Sequence, residues 1–378
     1  MIRIGQLSIQ HTEGQARLCA DISLNGKGTT LWFGVDISHA HYLCEGRSDA
    51  FVMALLPTAM RGGHDIICDT PMSERLHYQL ENYLIPTLCS KQGVYRPMKL
   101  RIPTTAQPVE NPGGVATGFS GGVDSLHTIM THGKDSPLPL THLTHFNLGV
   151  YEGPAYREGF RESCRKALPF AEERGLELVC LDSNISQVLP ERYLDVVAFR
   201  LLSGALALQG LLRAYLIASS RDIRRFSIDP HRSESYEYLL VQCAQTEALR
   251  LYNAGCQLRR IDKTKLLTQW EPARRWLHFC IFGHPGEPNC GHCKKCAREI
   301  ATLYSYGALD DFGEVLELPT VKRTLPRQLG LVLANREAPL FDETAALLEE
   351  SGVSIPQAAY IYAEQFRKAM KNLQEEQP

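Results

Sequence analysis

Phe119-Ser120-Gly121-Gly122-Val123-Asp124-Ser125 is the stretch whose reading decides the fold of this chain. It follows the apolar run Val115-Ala116-Thr117-Gly118-Phe119 and precedes Leu126-His127-Thr128-Ile129-Met130, so it reads as strand, tight loop and helix start. Two adjacent glycines let the backbone turn without a Cβ, and its N–H groups then converge on an anion at the positive end of the following helix. Ser120 and Ser125 add hydroxyl donors at the two ends of the loop. Asp124 is the odd member, because a carboxylate beside a phosphate repels it unless a divalent cation lies between them. The loop therefore predicts a magnesium-bound polyphosphate. The plainer alternative is a glycine turn with a capping Asp at a helix start.

Working outward, Leu143–Leu148, Leu176–Leu181 and Tyr215–Ala218 read as strands separated by helical stretches. That alternation predicts an α/β fold with a parallel sheet, helices on both faces, and ligands beyond the carboxyl ends of the strands. Residues 1–105 read as an N-terminal α+β domain: Ala16–Leu24 and Thr29–Val35 alternate around Asn25-Gly26, a hairpin signal. Helical patterns follow at Asp49–Met60 and Ser73–Leu88, with short strands at Asp65–Cys68 and Met98–Ile102. Thr104–Gly114 reads as a linker to a second domain over residues 115–325. A C-terminal helical segment over 326–378 contains amphipathic helices at Phe341–Gly352 and Gln357–Gln374.

The chain has 378 residues, a net charge of −2 and the hydrophobic content of an ordinary globular protein, so no strong nucleic-acid partner is implied. Arg213, Arg221, Arg224, Arg225 and Arg232 crowd together, most simply as a solvated face. The start lacks the pattern of a signal peptide, and the longest apolar run, Val196–Ser219, is interrupted by Arg200, Gln209 and Arg213, so it reads as buried helix plus strand. Twelve cysteines without a secretion signal point to a reducing, cytoplasmic location.

Four of those cysteines form a cluster within residues 278–300: Cys280, then Cys290, Cys293 and Cys296 in Cys-Gly-His-Cys-Lys-Lys-Cys. Thiolates two residues apart reach one ion while intervening N–H groups offset their charge, and Gly291 permits the tight knuckle. Four soft ligands fit tetrahedral zinc in a structural role, with Lys294, Lys295 and Arg298 offsetting the dianionic site. An iron–sulfur cluster is the alternative. His278, His284 and His292 are spare candidates beside the knuckle.

Ser-Gly-Gly-x-Asp-Ser resembles the pyrophosphate loop (PP-loop) of the N-type ATP pyrophosphatases, whose domain is adenine nucleotide alpha-hydrolase-like. No Gly-Lys-Ser/Thr follows, so it is not a Walker loop. Together with the cysteine spacing, residues 115–300 resemble the 7-cyano-7-deazaguanine synthase (QueC) family. That resemblance implies activation of a carboxylate by ATP as its adenylate, with release of pyrophosphate and then C–N bond formation. Ser120, Gly121, Gly122, Asp124 and Ser125 match the nucleotide loop, Lys263 matches the phosphate contact with Arg260 beside it, and the four cysteines match the zinc ligands. The cofactors implied are ATP, Mg²⁺ and Zn²⁺.

The chain departs from that family where the substrate is read. Arg200 stands where the family has an Arg-Asn pair, but Leu201 replaces the asparagine. The deazapurine-recognition stretch is absent, and Ser219-Ser220 and Ser227–Ser235 stand in its place. Asp229, His231, Ser233 and Ser235 are accordingly the substrate candidates, with His231 as a general base and Phe226, Tyr236 and Tyr238 able to build a slot for a flat heterocycle. QueC-like proteins with altered substrate loops occur beside anti-phage defence genes, which implies ammonia or a protein amine as acceptor, presented through the N-terminal domain. Two other readings remain open. A tRNA-modifying enzyme would draw on Cys180 or Cys243 as nucleophile, and a non-catalytic zinc-stabilised scaffold would have no use for Asp124.

Overall fold

Among the described residues thirteen strands run along the chain: β1 (Ile2–Ile4), β2 (Ser8–Thr12), β3 (Gln15–Leu24), β4 (Lys27–Asp36), β5 (Ile66–Cys68), β6 (Met72–Ser73), β7 (Leu100–Arg101), β8 (Thr104–Thr105), β9 (Gly114–Gly118), β10 (His142–Asn147), β11 (Glu177–Ser183), β12 (Leu212–Ala218) and β13 (Arg250–Ala254). The computed structural model describes residues 1–12, 14–24, 26–91, 93–151 and 156–375. Eleven strands form one mixed, largely parallel sheet in the order β13-β12-β9-β10-β11-β4-β3-β1-β5-β7, with β2 beside β3. The fold is α/β. From β13 to β11 every pairing is parallel, and Val115, Ala116, Thr117, Leu143 and Leu216 are buried, as expected of strands covered on both faces. β9 is first in sequence but central in space, with β10 and β11 on one side and β12 and β13 on the other, so the strand order reverses there.

β4 joins β11 antiparallel, pairing Phe33 with Ser183 and Val35 with Leu181. The Asn184 side chain prolongs this seam, accepting from the Trp32 N–H (3.0 Å) and donating to the Thr30 carbonyl (2.7 Å). Residues 1–105 are therefore not a free-standing domain. Their strands cap the edge that β11 would otherwise expose, and the helix Asp49–Gly62 packs on the helix Tyr193–Ala207 through a shared core containing Phe51, Leu55, Phe199 and Leu202. The β3–β4 hairpin forms as expected, although Asn25 lies outside the described residues. Gly26 takes φ +77°, which a glycine tolerates.

The chain divides into two compact units, and neither follows the boundaries 1–105, 115–325 and 326–378. The first comprises Met1–Gly118 with His132–Cys256 and holds the whole large sheet. The second comprises Phe119–Thr131 with Gln257–Pro378 and is helical. Its helices include Val123–Thr131, Arg260–Leu267, Lys294–Ser305, Leu318–Ala334, Phe341–Glu350 and Gln357–Glu375, and its C-terminal core gathers Ala297, Leu329, Val332, Leu348 and Ala363. Among the described residues no helix is long and apolar enough to cross a membrane.

Candidate functional site

The Ser120–Ser125 loop lies in the helical unit and leads into the helix Val123–Thr131. Gly121 has φ +69°, and a Cβ there would come within 3.1 Å of the Cβ atoms of His278 and Pro285, so glycine is required both by conformation and by space. The Gly121 carbonyl accepts from the His278 N–H at 2.8 Å. Ser120 Oγ and Ser125 Oγ lie 3.2 Å apart, Ser125 Oγ donates to the Gly122 carbonyl at 3.0 Å, and Ser120 Oγ accepts from the Gly122 N–H at 3.3 Å. The loop thus closes on its own hydroxyls.

Asp124 is held between two cations from the helix Arg260–Leu267. Lys263 Nζ stands 3.1 Å from one carboxylate oxygen, and the Arg260 guanidinium bonds the other. Arg260 and Lys263 are three residues apart and so share a helix face. Asp262 points elsewhere: it accepts from the Arg259 N–H (3.2 Å) and pairs with the Arg259 guanidinium (2.9 Å) at the helix start. Burial alone would raise the Asp124 carboxyl, but Arg260 and Lys263 outweigh it and hold the group below the usual carboxylate range. Lys263 is 1% exposed, so this ion pair is shielded from water.

The four thiols at Cys280, Cys290, Cys293 and Cys296 lie within 4.8 Å of one another. Their separations include 4.0 Å for Cys280 to Cys293, 3.6 Å for Cys290 to Cys296 and 3.4 Å for Cys293 to Cys296. A tetrahedral zinc with Zn–S of about 2.3 Å needs sulfurs about 3.8 Å apart, so the set fits that ion. The Phe282 and Cys296 N–H groups donate to Cys280 Sγ (3.3 Å) and Cys293 Sγ (3.4 Å). Burial raises the Cys280 and Cys296 thiols; at Cys293 burial is outweighed by backbone N–H donors, led by Cys296, which bring it to about 7. Gly291 takes φ +71° at the knuckle, and its carbonyl accepts from the buried Gln328 amide at 2.5 Å.

Asn289, 4% exposed, organises the approach to the knuckle. Its Oδ1 accepts from the Phe279 and Cys280 N–H groups at 2.9 and 3.0 Å, and its Nδ2 donates to the Leu277 and Val315 carbonyls at 2.9 and 3.0 Å. The histidines are not ligands of the four-sulfur set. His292 Nδ1 bonds the Cys290 carbonyl at 2.7 Å, and His278 Nδ1 lies 3.4 Å from the Glu287 carbonyl.

Loop and knuckle share one cavity of about 210 Å³, lined by Ser120, Gly122, Asp124, Arg260, Cys280, Lys295, Arg298 and Glu299 among others. Lys295, Arg298 and Glu299 follow i, i+3, i+4 on the helix that Cys293 caps, which aims all three at one side. Glu299 Oε1 accepts from Thr264 Oγ1 at 2.6 Å, and burial raises its carboxyl. The sequence reading placed Lys295 and Arg298 as charge compensation for thiolates and did not single out Glu299 or Asn289. The spacing 295, 298, 299 behind a knuckle was the available signal.

The substrate candidates belong to the sheet-bearing unit. Arg200 is buried, and its guanidinium donates to the Leu148 carbonyl (3.0 Å), Ser186 Oγ (2.6 Å) and the Glu191 carbonyl (2.8 Å), so it ties three segments together. Ser233 is fully buried and accepts from the Ala198 N–H at 3.1 Å, just past the non-helical turn at Val196. Ser235 donates to the Ser227 carbonyl at 2.7 Å. Asp229 closes its own turn by accepting from the His231 N–H at 3.0 Å, and His231 is exposed. Tyr236 is buried with its hydroxyl 3.2 Å from that of Tyr95, whereas Phe226 and Tyr238 are exposed beside a shallow hollow that also includes Arg221, Glu234 and Asn253. Arg200, Ser233 and Tyr236 thus hold the fold, while Ser235 also lines the hollow beside Phe226 and Tyr238.

No family model matches this chain, and neither a curated protein nor a solved structure matches it.

Proposed function

We propose that the chain is an ATP-dependent carboxylate-activating enzyme of the PP-loop type, QueC-like in its nucleotide loop and zinc knuckle. The observation that carries this reading is the cavity in which Ser120, Gly122 and Asp124 share a lining with Arg260, Lys295, Arg298 and Glu299, three cations against two carboxyl groups around a glycine loop. Zinc would be held by Cys280, Cys290, Cys293 and Cys296 and would contribute folding energy. Magnesium at Asp124 would screen the carboxylate from the phosphates.

A substrate carboxylate oxygen attacks the α-phosphorus of ATP, the bond to the β,γ-diphosphate breaks, and an acyl adenylate forms. An amine then attacks the acyl carbon, AMP departs and the amine loses a proton. Lys263 and Arg260 neutralise charge as the diphosphate leaves. Both bond Asp124, and a magnesium ion held by that carboxylate would leave Arg260 available to a phosphate oxygen. The acid we favour is 7-carboxy-7-deazaguanine or a similar flat heterocycle, with ammonia or a protein amine as acceptor.

Exchange of labelled pyrophosphate into ATP, dependent on 7-carboxy-7-deazaguanine and magnesium, is the expected result. Exchange with tRNA instead would move the chain to the tRNA-modifying reading. Release of ADP and orthophosphate alone would overturn the PP-loop reading, since it places cleavage at the γ-phosphate.

A further inference from the structure

Three cations, Arg260, Lys295 and Arg298, line the cavity of the helical unit against two carboxyl groups, Asp124 and Glu299. Arg298 is 9% exposed, and its Nε has no hydrogen-bond partner. Among the described residues its guanidinium makes no ion pair within 4.0 Å; it lies 5.8 Å from the Phe341 ring centroid, and Glu299, Asp124 and Glu343 attract it from farther off. Lys295, one turn earlier on the same helix, is more exposed and lines the same cavity. A buried guanidinium N–H without an acceptor is costly, because the Nε–H of Arg298 loses water and gains no protein partner, while its terminal nitrogens keep access to the cavity. Native structures retain such groups where a ligand completes them.

The knuckle explains how these two side chains reach the cavity. Cys293 caps the helix Lys294–Ser305 by accepting from the Cys296 N–H, so the position of Lys295 is set between two zinc-ligand candidates and that of Arg298 two residues beyond the last. We propose that Lys295 and Arg298 form a diphosphate-binding subsite facing the Ser120–Ser125 loop, so that the cysteine knuckle supplies ligand contacts as well as folding energy. This rests on the proposed PP-loop reading and adds to it which residues hold the leaving group. Arg298 offers a planar fork to two oxygens of one phosphate, and Lys295 a point charge at the mouth.

Calorimetric titration of the full chain with inorganic pyrophosphate tests this, with orthophosphate as comparator and zinc content measured on each sample. Lys295→Ala and Arg298→Gln should each weaken pyrophosphate binding about 10- to 100-fold, the loss expected of one charge-assisted contact, at unchanged zinc content. Arg298→Lys should recover part of the loss. Without ligand, Arg298→Gln should melt no lower than the parent, because an unpaired buried charge has gone, while the rise in Tm on adding pyrophosphate shrinks. Pyrophosphate affinity unchanged in both variants would overturn the subsite and leave the loop reading standing. A parent chain that does not bind pyrophosphate would overturn both. Orthophosphate bound as tightly as pyrophosphate would remove the diphosphate assignment. Should Arg298→Gln fail to fold, the more exposed Lys295→Ala decides the matter alone.

Discussion

Asp124 was expected to await a metal–phosphate complex; instead it is held by Arg260 and Lys263. Removing its charge therefore affects more than chemistry. Asp124→Asn should lower stability by about 3 kcal/mol, because two largely buried cations lose their partner, and should reduce pyrophosphate release at least about 100-fold; thermal melts and exchange assays read the two separately. Its depressed pKa contributes stability that is present above the unfolded value near 3.8 and is lost as pH falls through the lower folded value. Asp49 behaves oppositely. It is fully buried, accepting from the Ser73 N–H (2.8 Å) and the Gln209 amide (2.9 Å), and burial raises its carboxyl to about 6. Its contribution is complete below about pH 4 and is lost as pH rises through about 6, a difference of about 3 kcal/mol. Denaturant melts of Asp49→Asn should show that pH slope flattened. Asp124 could be read from its local string, whereas Asp49, Asn289 and Glu299 owe their roles to partners distant in sequence, which no local pattern encodes.

The knuckle and the segment leading into it act as one element. Elemental analysis should find one zinc per chain, and Cys293→Ser should lower Tm and zinc content together. Asn289→Ala leaves four backbone groups without their side-chain partner, so a loss of about 3 kcal/mol with weaker zinc retention under chelator is expected. An unchanged Tm in both variants would argue against a structural role for the metal. Elements with strong local patterns were readable: β10, β11 and β12 as apolar runs, β3 and β4 as an alternating hairpin. β2 reads Ser-Ile-Gln-His-Thr and is mostly exposed, β1 has 3 residues, β13 mixes polar and apolar residues as Arg-Leu-Tyr-Asn-Ala, and Pro326 interrupts the pattern of Leu318–Ala334, so no local pattern marks these elements.

Across the whole molecule, the α/β alternation predicted the parallel half of the sheet, but nothing local announces that β4 will pair with β11, since that choice depends on an edge built from residues far along the chain. A chain starting at residue 106 should therefore aggregate on expression, with the β11 edge and the apolar side of Tyr193–Ala207 uncovered; a monodisperse monomer by size exclusion would contradict this. The division into units has a further outcome during synthesis. Phe119–Thr131 belongs with residues beyond 256, and Asp124 precedes Lys263 by 139 positions. At ribosomal rates of roughly 5–20 residues per second, the glycine loop waits about 7 to 28 s for the cations that neutralise it. Through that interval β9 and β10 are already made, while the helix Arg260–Leu267 that carries the two cations of Asp124 has yet to be synthesised, so the carboxylate of the loop completes its ion pairs only late in synthesis.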